Sequence, residues 1–230
     1  MTLAYPRMIA GRGRHEIEIR KSRFICSIAR VESDDDARAF VESIRKEFWN
    51  ASHNCVAWSI GENGRLQRSN DDGEPAGTAG VPMLEVLRKR QLTDTVVVVT
   101  RYFGGVMLGA GGLIRAYGSA VSETVQLVGI VERQTLKNVS IRIGHDDAGR
   151  FEHSLRGSGF ALGDVAYDGA GVTFSLAMDP AIVPGFAAWA ADHSSGRGAV
   201  VIDGDTFVDV PVQDDGRNRD HTEGRCANDE

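Results

Sequence analysis

The run Thr95-Val-Val-Val-Val-Thr100, followed at once by Arg101-Tyr-Phe-Gly-Gly-Val-Met-Leu-Gly-Ala-Gly-Gly-Leu-Ile-Arg115, constrains this chain more than any other stretch. Continuous β-branched character without polar alternation reads as a central strand buried on both faces. The glycines then carry the chain from the strand end into a helix predicted from about Gly112 to Val128. Leu113, Tyr117, Ala120, Val121 and Thr124 share one side of that helix. At such a junction glycines let backbone N–H groups converge, and a helix start adds partial positive charge. Gly104, Gly105, Gly109, Gly111 and Gly112, flanked by Arg101 and Arg115, therefore form a candidate anion site for a phosphate or a carboxylate. The alternative is that the glycines serve tight turning and close strand–helix packing. No nucleotide motif is present. There is no Walker Lys-Ser/Thr, and Ile114 stands where a dinucleotide fingerprint from Gly109 needs its third glycine.

A second unusual stretch, Ser69-Asn-Asp-Asp-Gly-Glu-Pro-Ala-Gly-Thr-Ala-Gly-Val-Pro82, precedes a helix predicted around Pro82–Arg90. Asp71, Asp72 and Glu74 are of the type that holds Mg²⁺, although their spacing matches no calcium loop. Asp-Gly and Glu-Pro are also turn dipeptides, and Thr78 is a candidate cap for the helix. A third reading turns these acids toward Arg101 and Arg115, binding two loops together by charge-assisted hydrogen bonds or presenting them to a cationic partner. His53 and Cys55 fall on one face of a strand predicted over His53–Gly61. Side chains two residues apart on a strand lie too far from each other for an easy nucleophile–base bond. His145, His153 and His193 lack zinc spacing and cysteine partners. No catalytic residue, cofactor or metal is assigned. A hydrolase using the acidic loop with a divalent metal, or Cys55 with His53, stands as the alternative.

The rest of the chain supplies the frame. His15 to Val31 reads as one extended segment. Ser33 caps a helix whose first turn is Asp34-Asp-Asp36 and whose apolar stripe is Ala37, Phe40, Val41, Ile44 and Phe48. In the strand after it, Val56, Trp58 and Ile60 oppose His53, Cys55 and Ala57. Farther on, Val139–Ile143 is a strand, a helix carries Phe151 and Leu155, and Asp168-Gly169 makes a hairpin turn before Val172–Met178. A helix over Pro180–His193 and a strand over Ala199–Val212 complete a βαββαβ order, the ferredoxin-like pattern. The expected domains are 1–134 and 135–213, with a disordered tail over 214–230 that is nearly devoid of apolar residues.

Charge divides at the same boundary. The first 135 residues hold 18 Lys and Arg against 16 Asp and Glu, and the remainder hold 8 against 16. Any nucleic-acid contact therefore belongs to the first domain. The widely spaced Cys26, Cys55 and Cys226 suit a reducing cytosol. The N-terminus shows no secretory pattern, and the apolar runs are too short to cross a membrane.

Asn70-Asp-Asp-Gly-Glu-Pro-Ala-Gly-Thr-Ala-Gly80, Thr100-Arg-Tyr-Phe-Gly-Gly105 and Leu108-Gly-Ala-Gly-Gly-Leu-Ile-Arg-Ala-Tyr-Gly118 together resemble the signature of the IMPACT (imprinted ancient) family. His53-Asn-Cys-Val-Ala57 and Lys21-Ser-Arg-Phe-Ile25 fit the same pattern. The likeness spans roughly residues 15–130, and the remainder resembles the small C-terminal domain of bacterial YigZ-type members. The resemblance implies an α+β protein. Its N-terminal domain would carry the left-handed βαβ crossover of a ribosomal protein domain and of elongation factor G domain IV, followed by a ferredoxin-like domain. It also implies a cytoplasmic, non-enzymatic regulator of translation whose partner is RNA, the ribosome or a translation-related protein. Combined with the residue reading, the expected contact surface is the Gly/Arg loop.

Overall fold

The computed structural model describes residues 6–212 in two compact units, one running up to Glu132 and including the residues from Asp209, the other spanning Arg133–Val208. The expected tail over 214–230 lies outside the described residues.

The first unit is built on β2 (Gly13–Ile19), β3 (Ser22–Arg30), β4 (His53–Ile60), β5 (Leu66–Asn70) and β6 (Thr95–Tyr102), in the sheet order β2-β3-β6-β4-β5. Three helices cover it: α1 (Asp34–Glu47), α2 (Gly80–Lys89) and α3 (Ala110–Val128). The valine run occupies the centre of β6, as its composition predicts. Val97 and Val99 join Phe24, Cys26, Ile28, Cys55 and Ala57 beneath α2 and α3. Val96 and Val98 join Ala29, Val31, Val56, Trp58 and Ile60 beneath α1. All four valines are fully buried. Each contributes about 1.5–3 kcal/mol of transfer free energy, so one short segment anchors two cores.

This layering settles a point of topology. β3 and β4 are both antiparallel to β6, so they run parallel to each other across it, joined through α1. β5 and β6 are both antiparallel to β4, so they too are parallel across one strand, joined through α2. The second connection reverses both the strand direction and the direction of travel along the sheet, which together preserve handedness. The helices lie on opposite faces, which inverts it. One of the two crossovers is therefore left-handed, against the strong right-handed rule for such units.

Local chemistry sets the element ends. The Ser33 hydroxyl accepts the Asp36 N–H at 3.1 Å and donates to Asp36 Oδ2 at 2.6 Å, and Asp34–Asp36 occupy the positive end of α1. The segment expected as one extended run, His15 to Val31, instead folds back as the β2–β3 hairpin. Its turn residues, Arg20 and Lys21, both adopt left-handed backbone (φ 49° and 64°). Hairpin turns of this kind favour Asn-Gly, so Arg-Lys gives no turn signal in the sequence. The short β1 (Arg7–Ile9), which pairs with Ile130–Glu132, was likewise not expected from the pattern.

The second unit holds most of β7 (Ile130–Ile143), then α4 (His145–Gly157), β8 (Leu162–Asp168), β9 (Gly171–Met178), α5 (Val183–His193) and most of β10 (Val200–Val212), in the βαββαβ order. β9 lies between β7 and β8, antiparallel to both, and β10 pairs with β7 on its other side. This is the ferredoxin-like arrangement. Phe151, Phe174 and Phe186 fill its core, with Phe160 and Trp189 packed against them. Among the described residues no helix is long and apolar enough to cross a membrane.

Candidate functional site

Register brings the two unusual loops together. His53, the first residue of β4, pairs with Arg101 near the end of β6, and β5 ends at Asn70 opposite Val56. The segment 71–80 and the glycine loop thus leave the sheet at the same end.

Their junction is a buried ion pair. Arg101 Nη1 donates to Glu74 Oε1 at 2.6 Å, and both side chains are nearly inaccessible, at 6 and 3 %. The same Glu74 oxygen accepts the Tyr117 hydroxyl of α3 at 2.7 Å, and His53 Nε2 lies 3.9 Å from it. The Arg101 guanidinium sits over the Phe24 and Phe103 rings, 5.3 and 5.6 Å from their centroids. Burial pushes the Tyr117 hydroxyl well above its ordinary range, which keeps it a hydrogen-bond donor to the carboxylate. Arg101, expected at the anion site, therefore has its charge matched inside the fold. Breaking such a pair from one side leaves an uncompensated buried charge, a loss of about 3–5 kcal/mol.

The other two acids serve the same loop. Asp71 Oδ1 accepts the N–H groups of Ala79 and Gly80 at 3.0 and 2.8 Å, and its Oδ2 accepts Gly77 N–H at 2.8 Å. Burial alone would raise the Asp71 carboxyl, but these backbone donors outweigh it and hold it below the usual range. Asp71 thus caps α2 from a distance. Thr78, expected in that role, spends its hydroxyl on the Pro75 carbonyl at 2.6 Å. Asp72 Oδ2 accepts Asn54 N–H at 2.7 Å, and its Oδ1 lies 3.4 Å from Arg45 Nη2. The carboxylates face donors of the protein. Among the described residues no group of three or more His, Cys, Asp or Glu is placed to hold a metal ion.

His53 and Cys55 do share a side of β4, yet they engage different atoms. His53 Nδ1 donates to the Asp72 carbonyl at 2.8 Å. The Cys55 thiol lies 3.0 Å from the Asp71 carbonyl and 3.3 Å from the Tyr117 hydroxyl. Burial, with the nearby acids adding to it, pushes this thiol up to about 12. A thiol held protonated and enclosed is a packing group, not a nucleophile.

The glycine loop divides into a packed half and an open half. The Gly104 N–H donates to Ser22 Oγ at 3.2 Å, and a Cβ there would come within 2.0 Å of the Lys21 backbone. A Cβ on Gly112 would meet Leu108 at 3.0 Å. Gly105 and Gly109 take positive φ. Gly111 differs from all of these. It sits in the first turn of α3 with ordinary helical backbone, and a Cβ there would find only Arg115 Nη1, 3.7 Å away. The N–H groups of Gly109 to Gly112 find no acceptor among the described residues. Arg115 is exposed, and among the described residues no carboxylate pairs with it or with Arg20 or Lys21. Arg20 reaches the loop through the Met107 carbonyl at 3.5 Å. Around this rim Phe103, Val106, Met107 and Ile114 are exposed.

Lys21, Ser22 and Tyr117 lie in stretches that carry the family likeness, but the sequence assigned none of them, nor Arg20, to the site. The hairpin turn that delivers Arg20, Lys21 and Ser22 carries no turn signature, and Tyr117 reads as an ordinary member of an apolar helix stripe.

Comparison with known proteins places these features in context. The profile of the Impact N-terminal domain matches residues 20–125, and that of a domain of unknown function, DUF1949, matches residues 141–197. The IMPACT family member YvyE of Bacillus subtilis is 49 % identical over 80 % of this chain and 85 % of its own length. The IMPACT family member YigZ of Escherichia coli is 38 % identical over 78 % of this chain and 88 % of its own. A crystal structure titled as that of a hypothetical protein is 33 % identical, covers 87 % of this chain and 98 % of its own, and superposes with a TM-score of 0.55.

Proposed function

This chain belongs to the IMPACT family, and from that premise we propose that it is a non-enzymatic regulator of translation that grips RNA phosphate at the open rim of its glycine loop. The observation that carries this reading is Gly111. Glycine in a helix is unfavourable by about 0.5–1 kcal/mol relative to alanine, and here neither backbone angle nor packing calls for it. Its use is the space it leaves for a close-approaching ligand.

The charge of the rim fits the same ligand. Arg115 and Arg20 reach the loop at Gly111 and Met107, and the Lys21 backbone lies against Gly104, beside N–H groups at the positive end of α3 that find no acceptor among the described residues, a setting that favours anions. Arg101 and Glu74 cancel each other within the frame and hold the rim in shape. The acidic loop therefore braces the surface from behind.

Cosedimentation with ribosomes across a salt series tests the proposal. Replacing Arg115 with alanine is expected to weaken binding and to lower the slope of log affinity against log salt by about 0.7–0.9. Unchanged binding with an unchanged slope would remove the anion site. Arg101 is unsuitable as a probe, because its loss perturbs the frame.

A further inference from the structure

We infer that the RNA taken up at this surface is single-stranded, with unpaired bases stacked on Phe103 and Trp49; the inference rests on the RNA reading above. Trp49 is 82 % exposed and Phe103 is 53 % exposed. Neither ring contributes to a core, and both belong to the same end of the sheet as the glycine loop.

Their backbones are fixed to each other. Ser52 N–H donates to the Arg101 carbonyl at 3.0 Å, Phe103 N–H donates to Ser52 Oγ at 3.2 Å, and the Tyr102 hydroxyl donates to Asn50 Oδ1 at 2.9 Å. The turn that carries Trp49 is thus laced to the strand end that carries Phe103. The Arg101 guanidinium under Phe103 is itself locked by Glu74, so this ring rests on a preformed support.

The chain order along the surface runs from Trp49 to Phe103, through the glycine loop, to Arg115. Exposed rings at the end of β6 and in the turn laced to it, with cations and free N–H groups along the loop that follows, suit a strand that offers bases and phosphates separately. A duplex offers the phosphates but hides the faces of its bases in the stack. Stacking on aromatic side chains needs those faces free, and it tolerates any base.

The full chain, titrated with a short oligouridine and with an RNA duplex of equal length, decides the matter. Fluorescence anisotropy gives affinity, and tryptophan emission reports stacking. Trp58 is buried and Trp189 is partly buried in the second unit, so quenching by the oligonucleotide reports Trp49. Oligouridine is expected to bind more tightly than duplex and to quench the emission. Phe103→Leu and Trp49→Leu should each weaken oligouridine binding by about 5- to 150-fold, corresponding to about 1–3 kcal/mol per stacked base. Duplex binding should stay unchanged for both variants, and the melting temperature should stay unchanged for Trp49→Leu, whereas Phe103→Leu also loses the contact with the Arg101 guanidinium and should melt slightly lower. Duplex bound as tightly as oligouridine, with binding still dependent on Arg115, would overturn the stacking inference and leave the anion site standing. Failure of both RNAs to bind would overturn the RNA reading itself.

Discussion

Replacing Gly111 with alanine separates a ligand-binding glycine from a structural one. The added Cβ enters open space, with Arg115 Nη1 at 3.7 Å as its nearest neighbour. The backbone is already helical, so folding gains about 0.5–1 kcal/mol from the better helix former. For a chain of this size that corresponds to a rise in melting temperature of about 1–4 °C. An RNA phosphate lying against the same spot meets a methyl group instead. Crowding of that kind costs about 1–3 kcal/mol, or roughly 5- to 150-fold in affinity. Differential scanning calorimetry and ribosome cosedimentation on the one variant read the two effects in opposite directions. Gly104→Ala is the control, because its Cβ would collide with the Lys21 backbone at 2.0 Å and must lower stability. A Gly111→Ala protein that melts higher and binds as well as wild type would refute the ligand reading. One that melts lower would refute the claim that the position is sterically free.

Two further predictions concern the frame. Asp71→Asn should cost about 1–3 kcal/mol at neutral pH, because two carboxylate oxygens that accept three N–H groups become one acceptor and one donor. The folded carboxyl sits below its ordinary range, so this stabilisation is full above the unfolded value near 4 and disappears as pH falls through the folded one. Urea unfolding should therefore show the variant and wild type converging in acid, and an undiminished gap there would contradict the assignment. Arg101→Ala should destabilise the first unit by about 3–5 kcal/mol, whereas Arg101→Met combined with Glu74→Leu should recover much of the loss. A double variant no more stable than the single one in urea would show that the pairing is not what holds the loops.

The elements that carry the site were legible wherever a local rule determines the structure. The valine run could only be a doubly buried strand, Ser33 and Asp36 form the cap their spacing announces, and Val56, Trp58 and Ile60 do oppose Cys55 and Ala57. What stayed hidden depended on register. Composition could suggest that an acid of the 71–74 stretch meets Arg101, but only the β4–β6 pairing selects Glu74 and encloses both groups. The Arg20-Lys21 turn escaped notice because its side chains say nothing about left-handed backbone. Asp71 replaced Thr78 as the cap of α2 because the loop curls back across eight residues, a distance that no local capping rule spans.

The left-handed crossover and the buried Arg101–Glu74 link have a joint consequence for how such a surface diversifies. On the proposed reading, recognition is left to main-chain amides and a few outward side chains, while the internal salt link holds the architecture that presents them. Met107, Ile114 and Arg115, all exposed, are thereby released from most duty toward folding. A lineage can redraw that outer rim for a new ligand one substitution at a time, whereas Arg101 and Glu74 tolerate change only in concert.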